Sequence, residues 1–304
     1  MKLEVRDLRK SFGPKEVLKG IGFTAESGRA LGLLGRNGAG KTTAIRIMMQ
    51  VLPADSGEVL LDGKKLDPNE VKIGYLPEER GLYPKKPILE QLIYFGQLRG
   101  MSASAAKKNA AELVERLGMQ EYMGKKRKLM TLSKGNQQKI QLAAALITDP
   151  DIVTLDEPFS GLDPVNAKLL EEVVRERIKK GNVVLFSSHQ MNYIEEFCDN
   201  IAILNGGNIA LSGEIRAIKR SYDRSVIQIA TQAPEQVEAV SRSIPKIVER
   251  FETHDGVVRV QMTSGEEKAA LLKAVGDAQV DLDDFRVFEP SLNDIFVKYT
   301  EGGV

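Results

Sequence analysis

The sequence predicts an α/β domain built on a parallel sheet, with a smaller α+β domain behind it. Three observations carry that expectation. Buried apolar strands alternate with helical segments through the first two thirds of the chain. A glycine-rich loop joins one of those strands to a helix. Beyond residue 220 the elements change to the order strand–helix–strand–strand–helix–strand.

LEVRDL alternates as a half-buried strand, GPKE and ESG read as turns, and RALGLLG is a buried apolar run ending in glycine. After Gly40, the residues Ile45, Met48, Met49 and Leu52 recur at helical spacing until Pro53. The stretch 88–130 reads as wholly helical, with ILEQLIYFGQLRG followed by a Ser-capped helix that Gly118 ends. Tyr94 and Phe95 within it read as helix core. DIVTLDE is a buried strand, PVNAKLLEEVVRERIKKG a capped helix and NVVLFSS a second buried strand. In the last third, SVIQIAT, KIVERFET and VVRVQMT read as strands, and His254-Asp255-Gly256 as a hairpin turn. Ser264 and Glu267 form a capping box for a helix reaching Ala278, and VDLDDFRVFE is the last strand. This order is ferredoxin-like. A final helix, SLNDIFVKY, follows.

Composition narrows the function. Of 304 residues, 43 are Lys or Arg and 42 are Asp or Glu, so a net charge of +1 gives no bulk attraction to nucleic acid or membrane. The balance hides an asymmetry. Residues 221–304 hold 9 basic and 15 acidic side chains, a net of −6 that leaves +7 for residues 1–220. The shift places an expected domain boundary at 220/221. The single cysteine, Cys198, excludes a disulfide framework and a cysteine-based zinc or iron–sulfur site. No apolar run approaches the roughly 18 residues of a membrane span, so the expected location is cytoplasmic unless a partner holds the chain elsewhere. The basic run Lys125-Lys126-Arg127-Lys128 lacks interleaved aromatics and reads as a solvated loop.

Gly35-Arg36-Asn37-Gly38-Ala39-Gly40-Lys41-Thr42 fits the phosphate-loop pattern GxxxxGK[ST] without a mismatch, with Thr43 following it into the helix. Glycines let backbone N–H groups turn inward around phosphate oxygens, and the helix N-terminus adds positive potential. Lys41 is expected to reach the β- and γ-phosphates, and the Thr42 hydroxyl to coordinate Mg²⁺. A magnesium site needs a second anchor, which DIVTLDE supplies as a strand ending in Asp156 and then Glu157. A carboxylate one residue beyond the magnesium aspartate can stand beside the γ-phosphate and act as general base.

With these residues in place, the first 220 residues resemble the ATP-binding subunits of ABC transporters. LSKGN, residues 132–136, resembles the family signature LSGGQ, and His189 in SSHQM resembles its switch histidine. The resemblance implies a P-loop NTPase domain of ABC type, residues 1–220, with a helical subdomain at about 88–148, while the element order makes 221–304 an accessory ferredoxin-like domain. It implies that ATP and Mg²⁺ are bound, that Phe12 stacks on adenine, and that Glu78 contributes to the metal and nucleotide. It also implies that Ser133, Lys134, Gly135 and Asn136 meet the γ-phosphate held by a second subunit. Gly161, Leu162 and Asp163 would lie at that dimer interface. Three positions depart from the family pattern: Lys134 replaces a glycine, Asn136 a glutamine, and Glu78 a glutamine. Glutamate at 78 keeps an oxygen ligand but loses an amide donor.

The implied activity is ATP hydrolysis that energises a separate membrane permease. The partner in the ATP sandwich is a second copy or a paralogous ATPase subunit, and no nucleic acid is expected. The chain would sit on the inner face of the membrane through its permease. EPSLNDIFVKYTEGG resembles the tails of exporter ATPases, which favours export. The alternative is a soluble ATPase of the same type acting on ribosomes or nucleic acid. Such relatives carry two cassettes, coiled coils or zinc modules, features this sequence lacks.

Overall fold

The computed structural model describes residues 1–79, 81–122 and 127–301. Two compact units emerge. One comprises Met1–Ile215 together with Ile295–Val304, and the other Arg216–Asp294.

In the first unit, β1 (Lys2–Phe12) and β2 (Lys15–Glu26) pair antiparallel with β4 (Ser56–Leu61) and β5 (Lys64–Lys65), in the order β2-β1-β4-β5. Leu3, Val5 and Leu8 all face inward although Val5 and Leu8 are three residues apart. A register shift there, with Asp7 at φ 42°, absorbs the extra residue. The second sheet is β10-β9-β3-β8-β7-β6, formed by β3 (Ala30–Leu34), β6 (Ile73–Leu76), β7 (Ile152–Asp156), β8 (Val183–Ser187), β9 (Asn200–Asn205) and β10 (Asn208–Glu214). Its pairs are parallel except β9/β10, the expected α/β arrangement. β3, β7 and β8 are buried at every residue, which explains their predominantly apolar character, with Thr154, Asp156 and Ser187 the polar exceptions. Helix α1 (Lys41–Met48) lies between the sheets, with Ile45 and Met48 in a core that also holds Leu18, Ile21, Leu31 and Leu33. It ends at Met48, a turn earlier than the periodicity predicts, because Gln50 takes φ 53° and leaves the helical path.

Between β6 and β7 lie α2 (Ile88–Leu98), α3 (Ala103–Arg116) and α4 (Lys134–Leu146). The expectation that 88–130 is wholly helical is corrected beyond Gly118, which ends the second helix where the sequence places it. Gly100 and Gly118, at φ 85° and 65°, break the path, and only short 3₁₀ turns follow at Gln120–Tyr122 and Leu129–Thr131. Ser102 caps α3 by accepting from the Ala105 N–H at 3.2 Å. Tyr94 is also exposed, not core, while Phe95 stacks on Tyr83 with ring centroids 6.3 Å apart. Of the basic run, Lys125 and Lys126 fall outside the described residues, and Arg127 lies over the Tyr122 ring at 5.5 Å. The unit continues through α5 (Pro164–Lys179) and α6 (Met191–Phe197).

The second unit begins in α7 (Ile215–Arg220) and contains β11 (Val226–Ala230), α8 (Pro234–Ser243), β12 (Val248–His254), β13 (Val257–Met262), α9 (Lys268–Asp277) and β14 (Asp284–Val287). Its sheet is antiparallel in the order β12-β13-β11-β14, the ferredoxin-like topology. Asp255 and Gly256, at φ 48° and 77°, make the hairpin turn that the sequence signals. The capping box is not formed as expected. Ser264 accepts from the Glu266 N–H, a 3₁₀ turn intervenes, and the Glu267 carboxylate accepts instead from the Thr263 hydroxyl at 2.7 Å.

The expected tail, 221–304, and the observed second unit, Arg216–Asp294, differ at both ends. The last helix, α10 (Leu292–Thr300), passes from one unit to the other. Ser291 accepts from the Asp294 N–H at 3.1 Å while Asp294 accepts from the Ser291 N–H at 2.9 Å, a reciprocal cap. Within the first unit, Asn205 donates to the Tyr299 carbonyl at 2.9 Å.

Ile227, Ile229, Val237, Val258, Val260, Leu271 and Val275 give the second unit its own core. Residues 216–294 produced alone should therefore unfold in urea as one cooperative transition, followed by circular dichroism. A broad, non-cooperative loss of signal would contradict an independent core.

Candidate functional site

In a parallel sheet the carboxyl ends of the strands face one edge, and loops leaving that edge converge. β3, β8, β7 and β6 are neighbours in the sheet although far apart in sequence. The segments after them carry the phosphate-loop pattern, His189, Asp156-Glu157 and Glu78. An open cleft of about 540 Å³ lies at this edge, lined by Arg36, Asn37, Gly38, Gly40, Lys41, Thr42 and Thr43 with Glu78, Asp156, Glu157 and His189. Phe12, Lys15 and Val17 line it from the antiparallel sheet. Phe12 is 50% exposed, as a stacking aromatic requires and a core residue would not be.

The loop holds its shape through close approach. A Cβ on Gly35 would meet the Leu204 carbonyl at 2.6 Å, and Gly40 combines φ 112° with Leu18 at 2.7 Å. Gly40 caps α1 without a side-chain acceptor, so no capping group competes for the first-turn N–H groups. Lys41 is buried, and its Nζ donates to the Gly35 carbonyl at 2.7 Å and towards that of Arg36 at 3.5 Å. At the loop's other side the Arg36 guanidinium stands 3.3 Å from the Glu301 carboxylate. Ala39 approaches from within the turn, its N–H donating to the Arg36 carbonyl at 3.1 Å.

Asp156 is 1% exposed. One carboxylate oxygen accepts from the Thr42 hydroxyl at 3.2 Å and the other from the Ser187 hydroxyl. Glu157, 6% exposed, sits at φ 49°, an uncommon conformation for a non-glycine residue and one that clusters at functional sites. It is held by its N–H donating to the Ser187 carbonyl at 2.9 Å. Its two oxygens face the Ser188 hydroxyl at 3.1 Å and His189 Nδ1 at 2.8 Å. His189 itself is largely exposed. Burial, with the Asp156 charge second, pushes the Tyr75 hydroxyl on the adjoining strand above its usual range.

Ser187 and Ser188 belong to no motif that the sequence spells out. Their signal was the SSH run itself: small hydroxyls at the end of an otherwise apolar strand. The donor set also bears on magnesium. Among the described residues, no group of three or more His, Cys, Asp or Glu could hold a metal alone. Thr42 and Asp156 present a hydroxyl and one carboxylate, hard oxygen donors that fit an ion taking most of its shell from phosphate and water.

The other expected residues do not line this cleft. Ser133 caps α4, accepting from the Asn136 N–H at 3.3 Å. Lys134 is exposed, whereas Gly135 is buried, and a Cβ added there would stand 3.1 Å from the Asn166 amide nitrogen. The Asn136 amide lies 3.4 Å from the Tyr122 hydroxyl. Gly161 is exposed and Leu162 half-buried. Asp163 caps α5, accepting from the Asn166 N–H at 3.0 Å and the Val165 N–H at 3.1 Å. The Asn166 bonds, chief among these, hold its carboxyl below the usual range. Burial pushes the neighbouring Lys139 ammonium down, and Asp163 partly opposes that. These segments form a second surface of the same unit.

The fold and cleft define a nucleotide-binding α/β cassette with a ferredoxin-like companion domain. The ABC transporter family pattern matches residues 18–160, and that of the DrrA1-3-like ATP-binding protein C-terminal domain matches 213–300. An uncharacterized ABC transporter ATP-binding protein of Alkalihalophilus pseudofirmus is 43% identical over 267 residues, covering 88% of this chain and 97% of that protein. The linearmycin resistance ATP-binding protein LnrL of Bacillus subtilis is 30% identical over 306 residues, covering 98% of both. A solved ATP-binding subunit of an ABC transporter superposes with a TM-score of 0.66 at 28% identity, covering 72% of this chain and 92% of that one. The chain belongs to the ABC transporter ATP-binding proteins and is an ATPase.

Lys41→Ala should lower ATP affinity by about tenfold or more and abolish hydrolysis. Isothermal titration and a phosphate-release assay check this. Unchanged affinity with unchanged turnover would contradict a role for Lys41 at the phosphates.

Proposed function

We propose that the chain binds Mg-ATP in this cleft and hydrolyses it as one half of an ATP-sandwiched pair. In this reading the pair energises a separate membrane permease working in export. The observation that carries the reading is the convergence of Lys41, Thr42, Asp156, Glu157, Glu78 and His189 on one cleft at the carboxyl edge of the sheet.

Lys41 exchanges its carbonyl acceptors for the β- and γ-phosphates, and Phe12 stacks on the adenine. Thr42, Asp156 and Glu78 would hold Mg²⁺, which neutralises charge on the phosphates when bound. Glu157 takes a proton from the attacking water as the water oxygen forms its bond to the γ-phosphorus and the bond to the leaving ADP oxygen breaks. His189, tied to Glu157 in the free protein, is placed to keep that carboxylate oriented and to reach the γ-phosphate. The partner subunit's signature segment, Ser133 to Asn136, completes the site. Ser133 and Lys134 at the exposed end of α4, and Val165 at 79% exposure, support a contact surface there.

No helix among the described residues is long and apolar enough to cross a membrane. A groove of about 690 Å³ lined by Met49, Val51, Tyr75, Leu98 and Arg99 supports docking of a permease helix, since Val51 and Leu98 are each 68% exposed. The similarity to LnrL, a linearmycin resistance ATP-binding protein, supports export as the direction of transport.

Glu157→Gln keeps the shape of the side chain and removes the base. It should bind ATP, hydrolyse at least about a hundredfold more slowly, and dimerise only with Mg-ATP on size exclusion. Adding Ser133→Arg should abolish that dimer. Wild-type turnover in Glu157→Gln contradicts the base assignment, and a monomer at saturating Mg-ATP contradicts the sandwich.

A further inference from the structure

The described residues between β6 and α2, 77–79 and 81–87, lie in no helix or named strand, yet their backbone is pinned at two places by buried side-chain amides. Gln141, on α4 and 4% exposed, donates from Nε2 to the Pro77 carbonyl at 3.1 Å and the Glu79 carbonyl at 2.9 Å. These are the two carbonyls flanking Glu78. A primary amide has two N–H donors, and both are used. Farther along, Gln91 accepts from the Tyr83 N–H at 2.8 Å and donates to the Tyr83 and Lys86 carbonyls, each at 3.0 Å. The loop is therefore fastened to α4 and α2, while the Glu78 side chain stays exposed and faces the nucleotide cleft.

We infer that Gln141 is a positioning residue for Glu78: by gripping the carbonyls on either side, it fixes where that carboxylate stands and makes it follow α4. The inference rests on the reading of the cleft as an Mg-ATP site. α4 begins with the signature segment, so a displacement of Ser133–Asn136 on meeting a partner would be carried two turns along a rigid helix to Glu78. Buried polar groups are expensive to leave unpaired, so replacing the amide by an apolar side chain frees both carbonyls and loosens the loop. The same helix reaches the other side of the cleft, where Gln138 donates to the Pro158 carbonyl at 3.2 Å.

Gln141→Met keeps the length and apolar stem and removes both donors. Gln141→Glu keeps the shape and puts an acceptor where the donors were, and serves if the first variant does not fold. Amide hydrogen exchange in the nucleotide-free protein should rise about tenfold in 78–82 and stay unchanged in β3 and β7. The Mg²⁺ concentration giving half-maximal hydrolysis should rise at least about fivefold, with ATP affinity in EDTA unchanged. In a Glu78→Ala background, which has already lost the carboxylate, Gln141→Met should add nothing to the Mg²⁺ requirement. Unchanged exchange in 78–82, or effects of Gln141→Met and Glu78→Ala that simply add, would overturn the inference. If Glu78→Ala alone leaves the Mg²⁺ requirement unmoved, the site reading of Glu78 fails, and the inference fails with it for a distinguishable reason.

Discussion

The Asp156 carboxylate is the constraint on which the rest of the site depends. A buried charge is costly unless hydrogen-bonded, and Asp156 finds its partners on two other elements: Thr42 in the first turn of α1 and Ser187 at the end of β8. β7, β8 and α1 therefore cannot shift independently without leaving that charge unpaired. The requirement sets the depth at which the phosphate loop sits against the sheet edge. It also fixes where the next residue, Glu157, leaves the strand.

Glu157 depends on the same junction. Its left-handed backbone is strained, and such strain persists only where neighbours over-determine it. Its N–H is held by β8, and its carboxylate by Ser188 and His189 on the following turn. Behind these loops Phe159 stacks on Tyr193, Phe197 and Phe186 with ring centroids 4.2, 5.2 and 6.2 Å apart. The Arg175 guanidinium covers Phe197 at 4.6 Å. That stack fills the space under the segments carrying Glu157 and His189. Cys198 beside it is buried, and that burial pushes its thiol far up, so it acts as a small apolar filler.

Features set by local chemistry were legible in the sequence. The phosphate loop follows from glycine spacing, the buried strands from apolar-rich runs, and the ferredoxin-like order from strand and turn signals such as Asp255-Gly256. The misreadings came where tertiary context overrode local pattern. Leu52 keeps helical spacing after Met48 but lies beyond the point where Gln50 turns out of the helix. Ser264 and Glu267 satisfy the spacing of a capping box yet take other partners. Tyr94 sits in an apolar helix and faces out. Gln141 and Gln91 gave no signal at all, because a glutamine that grips backbone carbonyls across a fold looks, in one dimension, like any polar helix residue. The final helix was foreseen, but its passage from one unit to the other was not.

In the proposed function one chain carries only half of each working site, with the phosphate loop and the signature segment on separate surfaces. Steady-state ATPase rate measured against protein concentration, at saturating Mg-ATP and without a permease, tests this most directly. Turnover per chain should climb with concentration and then level off, as pairs replace single chains. Turnover per chain that is constant down to the most dilute sample, with the protein shown to be monomeric there, would contradict it.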